Sequence, residues 1–193
     1  MNTWIVSLRL LAVLGLLTGG LYPVAVTLAA RWLFPREATG SLVTQSGRIV
    51  GSALLAQRFT DPRYFWPRPS AGDDGTNFAT VASSASHRGP TSAALRKSVE
   101  ERTAALCAAH GVSTNTAVPA VLVLASGSGL DPHLPPAAVR FQLDRVARAR
   151  GFDDIRRGAL RQLIERSIEP PQFGVLGEPR VNVLQLNREL DAL

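Results

Sequence analysis

Ser128, Asp131 and His133 are the residue types of a hydrolytic triad. They lie within one six-residue stretch, Ser128 to His133, whereas triad members converge from different elements. The nucleophile elbow G-x-S-x-G is also absent around Ser128. A membrane-tethered or secreted hydrolase using the Ser126–His133 loop is therefore the weaker of two functional readings. A second chemistry is anion binding. Ser126, Gly127, Ser128 and Gly129 leave backbone N–H groups near a helix start, a place that suits a phosphate. Neither G-K-[ST] nor a third glycine follows, so no nucleotide fingerprint is complete. The alternative is a tight loop whose Ser and Asp oxygens satisfy local donors. His87, His110 and His133 offer no metal-ligand spacing, and Cys107, the lone cysteine, excludes an internal disulfide and a Cys-based zinc site.

The cations are almost all arginine: Lys97 is the only lysine against 20 arginines, and the net charge is +6. Arg140, Arg145, Arg148, Arg150, Arg156, Arg157, Arg161 and Arg166 make two helices basic. Asp144, Asp153, Asp154 and Glu165 interleave with few aromatics, so a solvated Arg-rich face is favoured over nucleic-acid binding. Tyr64-Phe65-Trp66-Pro67-Arg68-Pro69-Ser70-Ala71 combines three aromatics with two prolines and a guanidinium, the make-up of an interface anchor. The alternative is a packed loop covering the sheet.

With 46% hydrophobic and 19% charged residues the chain is too apolar for disorder. The sequence predicts a mixed α/β soluble domain tethered by one N-terminal transmembrane helix, with boundaries at 1–9 (tail), 10–33 (span) and 34–193 (soluble domain). The elements expected are a hairpin over 42–51 turning at Ser46-Gly47 and an irregular segment over 60–92. A helix capped by Thr91 or Ser92 runs to His110, with Gly111 as its stop and Leu95, Val99 and Leu106 on one face. VPAVLVLA (118–125) is a buried-strand candidate. A second helix starts at Pro136 with Val139, Leu143 and Val146 on one face, and Asp153 caps a third. A Pro/Gly connection spans 167–180, and the last helix begins near Val181.

The 21 residues between Arg9 and Arg31 carry no charge, a run of about 31 Å as helix, close to one hydrocarbon core. Trp4 precedes it, and Trp32 and Phe34 follow, where interfacial aromatics sit. Gly19, Gly20 and Pro23 weaken a helix in water but are tolerated in a membrane, where small residues let a partner helix approach. A cleaved signal peptide is the alternative, although the apolar run is longer than the usual h-region and no clean cleavage site is obvious near 25–30. The charge bias leaves orientation open.

Five motifs in order carry a family resemblance: Thr18-Gly19-Gly20 with Tyr22-Pro23; Gly51 to Phe59; Tyr64 to Ala71; Ala125 to His133; and Leu176 to Asn187. In these the chain resembles the C subunit of the Kdp potassium-transporting ATPase of bacteria and archaea. It departs from the family at Ala56, at Leu124 and in His87 to Ser92. The resemblance implies a non-catalytic subunit of an ATP-driven, high-affinity potassium pump in the cell inner membrane. It would span once, with the soluble domain on the outer face, and cap the potassium entrance. Partners implied are a potassium-channel-like subunit, an ATP-hydrolysing P-type subunit and a small single-span subunit, with no nucleic acid. It also implies roles in assembly and in raising the ATP affinity of the pump subunit. No cofactor is expected to bind tightly, and ATP enters only through the resemblance, which matches a nucleotide-contacting glutamine to Gln142, with Ser126–Gly129 beside it. Gly19, Gly20, Tyr22 and Pro23 are the expected packing residues of the span. Tyr64, Phe65, Arg68, Asp131 and His133 are the expected partner contacts. An effect on ATP from outside the membrane would be allosteric, a coupling of roughly 1–3 kcal/mol. No D-K-T-G or T-V-G-Y-G sequence is present.

Overall fold

A computed structural model describes residues 2–45, 47–70, 83 and 85–193. Ser46, in the expected hairpin turn, and Ala71, at the end of the aromatic motif, lie outside the described residues, as does most of 71–84. The chain forms two compact units, Met1–Ser52 and Ala53–Leu193. The division falls after the expected hairpin, not at residue 34.

In the first unit one helical run, Thr3–Leu33, is long and apolar enough to cross a membrane, and it starts seven residues before the boundary expected at residue 10. No described residue in it is buried. It consists of α1 (Thr3–Leu16), a π-helical turn (Leu17–Leu21) and α2 (Tyr22–Leu33). The π turn has a local cause. Pro23 cannot donate to the carbonyl four residues back, and the Thr18 hydroxyl donates to the Leu14 carbonyl at 2.7 Å. A short helix α3 (Pro35–Ala38) follows, then the antiparallel pair β1 (Leu42–Gln45) and β2 (Arg48–Ser52), with a register shift at Val43/Thr44.

The second unit is built on four helices: α4 (Ala93–His110), α5 (Pro136–Ala149), α6 (Asp154–Arg166) and α7 (Val183–Leu190). Their ends follow local chemistry. Ser92 Oγ accepts from Leu95 N–H, Asp153 Oδ1 from Arg156 N–H, and Asn182 Oδ1 from Gln185 N–H. Gly111 ends α4 at φ +66°, a left-handed conformation that favours glycine, and a Cβ there would only push aside the flexible end of Arg148. The helix α5 packs between α4 and α6, and α6 also meets α7. Val139, Val146, Leu160, Leu163, Ile164, Leu186 and Leu190 fill the interior with almost no exposure, each contributing about 1.5–3 kcal/mol by burial.

The strands here are minimal: β3 (His133–Leu134) pairs antiparallel with β4 (Val181–Asn182). The last helix therefore starts at Val183, after β4, rather than near Val181. The expected strand over 118–125 is instead a 3-10 turn, Ala120–Leu122. Leu122 and Val123 are buried as its apolar character requires. However, Pro119 precedes the turn, Leu122 N–H closes on the Pro119 carbonyl, and Arg102 takes the Val123 carbonyl at 3.0 Å. Among the described residues no strand lies beside this run to pair with it.

Leu163 has no exposed surface. We expect Leu163→Ala to cost about 2–5 kcal/mol, read from tryptophan fluorescence during denaturation of the full chain in detergent. A loss under about 0.5 kcal/mol, the scale of a surface change, would show that the core is misplaced.

Candidate functional site

The aromatic segment leaves a turn at Pro62–Arg63 and runs as a strap to Pro69 across α5 and α7. It lies in no sheet, so its buried backbone groups need side-chain partners. Three residues supply them. Asn187 accepts from Phe65 N–H (2.8 Å) and donates to the Phe65 carbonyl (2.9 Å). Gln142 does the same for Trp66, at 2.8 and 3.0 Å. Arg145 donates to the carbonyls of Pro62 (2.6 Å) and Tyr64 (2.9 Å) and to Gln142 Oε1 (2.7 Å). Its guanidinium lies 3.9 Å from the Trp66 ring centroid. Arg145 is only 2% exposed, and burial pushes its pKa down to about 10, which still leaves it charged at neutral pH.

His110 completes the cluster. Its Nδ1–H donates to the Leu106 carbonyl (2.8 Å), so Nε2 faces Arg145 Nε (3.4 Å) as an acceptor. Burial pulls its pKa below 6.5, and the Arg145 and Arg148 charges pull in the same direction against the Leu106 bond. Arg148 reaches the His110 carbonyl at 3.2 Å. Arg150 binds Asp191 (2.7 Å) and sits over the Tyr64 ring. Arg145, and half-buried Arg150 through the Arg63 carbonyl, thus turn to the strap, while Arg148 stays exposed, so the expectation of one solvated arginine face is corrected at Arg145 and Arg150. Tyr64 is half-buried and donates its hydroxyl to Asp191 Oδ2 (3.2 Å). Phe65 has no exposure and belongs to the core, not to an outer contact face.

Gln142 is closed in as well, at 0% exposure with its carboxamide engaged on Trp66 and Arg145. In this conformation it presents nothing to a nucleotide. At the Ser126–Gly129 loop, Gly129 N–H reaches the Ser126 carbonyl (3.2 Å), and Leu130 N–H reaches Ser128 Oγ (3.1 Å). Ser126 is buried. Gly129 and α5 are separated by β3, and α5 begins at Pro136, which has no N–H. The loop's N–H groups therefore do not lie at the start of α5.

Downstream of the loop, Asp131 gathers Arg68 and His133. Arg68 Nη1 donates to its Oδ2 at 3.0 Å, and the His133 ring lies 3.6 Å from its Oδ1. Contact with the His133 side chain first, and then the His133 N–H and Arg68, hold the Asp131 carboxyl below the usual value. Arg68, Asp131 and His133 are therefore brought together, while the Ser128 hydroxyl serves Leu130. Beside them an open cavity of about 330 Å³ is lined by Arg58, Phe59, Trp66, Arg68, Arg102 and Leu106, among others. No group of His, Cys, Asp and Glu suited to a metal ion occurs among the described residues. Gly19 is exposed, and a Cβ there would meet nothing within 4 Å.

Sequence reasoning missed Arg145, His110 and Asn187. A signal was present: Gln142 and Arg145 interrupt the apolar stripe of α5, and a polar residue on the inward face must have a buried partner.

The second unit is a strap clamped onto a four-helix core, and the first carries one helix long and apolar enough to cross a membrane. The sequence matches the family described as K+-transporting ATPase, c chain, over residues 4–192. It is 49% identical to a potassium-transporting ATPase KdpC subunit of Methylococcus capsulatus over 187 residues, covering 97% of this chain and 96% of the relative. A KdpC subunit of Cereibacter sphaeroides is 49% identical (96% and 95% covered), and one of Geobacter metallireducens 45% (97% and 96%). The chain belongs to the family of K+-transporting ATPase c chains.

His110 sets a pH dependence. The unfolded chain binds a proton near pH 6.5 and the folded chain binds it only at lower pH, so stability is full above 6.5 and falls as pH drops below it. Denaturation midpoints at pH 7.5 and 5.5 should show this drop, and His110→Phe should shrink it. An unchanged slope in the variant would remove the assignment.

Proposed function

We propose that the chain serves as an accessory, non-catalytic subunit of an ATP-driven, high-affinity potassium uptake pump. In this reading it holds the complex together and raises the ATP affinity of the hydrolysing subunit. The observation that carries it is the family match over 4–192, which takes in both the helical run and the strap. Its partners are a potassium-channel-like subunit, a P-type ATP-hydrolysing subunit and a small single-span subunit in the bacterial inner membrane. The run Thr3–Leu33 is the single span, and the soluble domain lies on the outer face over the potassium entrance. The buried carboxamide of Gln142 supports an indirect effect on ATP over direct contact, since opening it would strip two backbone partners from Trp66.

In the span, Gly19 leaves an open notch in its own helix. Gly19→Leu/Gly20→Leu should leave the isolated chain folded but reduce the partner subunits recovered with it from detergent several-fold. Unchanged recovery would move the helix–helix interface elsewhere.

The outer orientation predicts that a Thr39→Cys, Cys107→Ser chain is labelled in intact cells by a membrane-impermeant thiol reagent. Labelling only after the cells are opened would place the domain inside and overturn the capping role.

A further inference from the structure

Residues 169–180 form a small hairpin that the core does not absorb. Glu169 and Arg180 exchange both backbone hydrogen bonds (2.8 and 3.1 Å), and so do Gln172 and Leu176 (2.8 and 2.9 Å). The turn between them places Phe173 at φ +55° and Gly174 at φ +76°. Two successive left-handed residues are the pattern that Asn-Gly fills without strain, and a bulky aromatic at the first position is an outlier. Phe173 gains no burial in return: it is 87% exposed, with Val175 at 80% and Leu176 at 58% beside it. A ring held in a strained conformation and in water points to a contact made outside the chain. Pro170, Pro171 and Pro179 flank the turn and stiffen it, which lowers the entropy lost on docking.

Charge discriminates between the surfaces that could take this tip. Across 169–180 there are two acids, Glu169 and Glu178, and one base, Arg180, a net of −1. Arg180 is already paired with Glu169 at 3.1 Å. A lipid-seeking tip carries basic flanks toward anionic headgroups and Trp or Tyr at the interface, and this segment has neither. We propose that the 169–180 hairpin is a docking arm whose Phe173 tip seats in an apolar socket with a neutral or basic rim on another subunit of the same ATPase. This rests on the functional reading above.

Two measurements on the full complex test it. With the photo-reactive p-benzoylphenylalanine at position 173, illumination of membranes should link the chain to another subunit of the pump. Adducts with lipid only, with a second copy only, or no adduct would overturn the proposal. Phe173→Asn relieves the turn, so the chain's thermal midpoint should hold or rise, while subunits retained after dilution in detergent fall by at least about fivefold. A lowered midpoint, or retention equal to that of the unaltered chain, would overturn it. Failure of the unaltered chain itself to recover partner subunits would sink the functional reading instead.

Discussion

The soluble unit depends on a strap without a sheet. Backbone N–H and C=O groups that leave water must find partners, and among the described residues no neighbouring strand offers them. Asn187 and Gln142 each act as a surrogate strand residue, giving one acceptor and one donor to a single peptide of the strap. Arg145 collects two further carbonyls. A buried guanidinium is costly to desolvate. Arg145 has no carboxylate partner at bonding distance among the described residues, and carbonyl dipoles, the Gln142 amide and the Trp66 face take that place. Removal of any one of the three side chains leaves partners behind that nothing else can reach, which couples α5, α7 and the strap into one structural element.

This coupling gives the family motifs a physical meaning. The aromatic segment and the C-terminal Leu176–Asn187 segment lie 122 positions apart where Phe65 meets Asn187, yet each is incomplete without the other. The Ala125–His133 motif joins them through Arg68 and Asp131, and through Ala56 N–H on the Leu130 carbonyl. What reads along the chain as separate blocks is one contiguous region around the strap.

Much of the helical framework was legible from local chemistry. Ser92, Gly111, Pro136 and Asp153 each act through neighbours a few residues away, so spacing alone located α4, α5 and α6. The membrane-length helix was equally legible, because absence of charge is a one-dimensional property. The strand expected over 118–125 failed because an apolar run of that length reports burial and not pairing, and pairing needs a partner the chain does not place there. The solvated arginine face departs from expectation at Arg145 for a related reason. Charge patterning ranks Arg145 with Arg140 and Arg161, and only the three-dimensional position of the strap's carbonyls separates the buried one from the others. Gln142 was singled out through the resemblance, whereas its packing role follows from its place on the inward stripe of α5.

The order of the chain gives the strap a mechanical role. Any pull along the backbone from the N-terminal unit enters the second unit at Ala53. It meets the Asn182–Ala53 bond and the Ala56–Leu130 bond first. The load then reaches the paired hydrogen bonds at Phe65 and Trp66, where it is shared between two helices. Tension along the backbone is thus met first at Asn182 in the short β3–β4 ribbon and at Leu130, and only then by the side-chain clamps that divide it between α5 and α7.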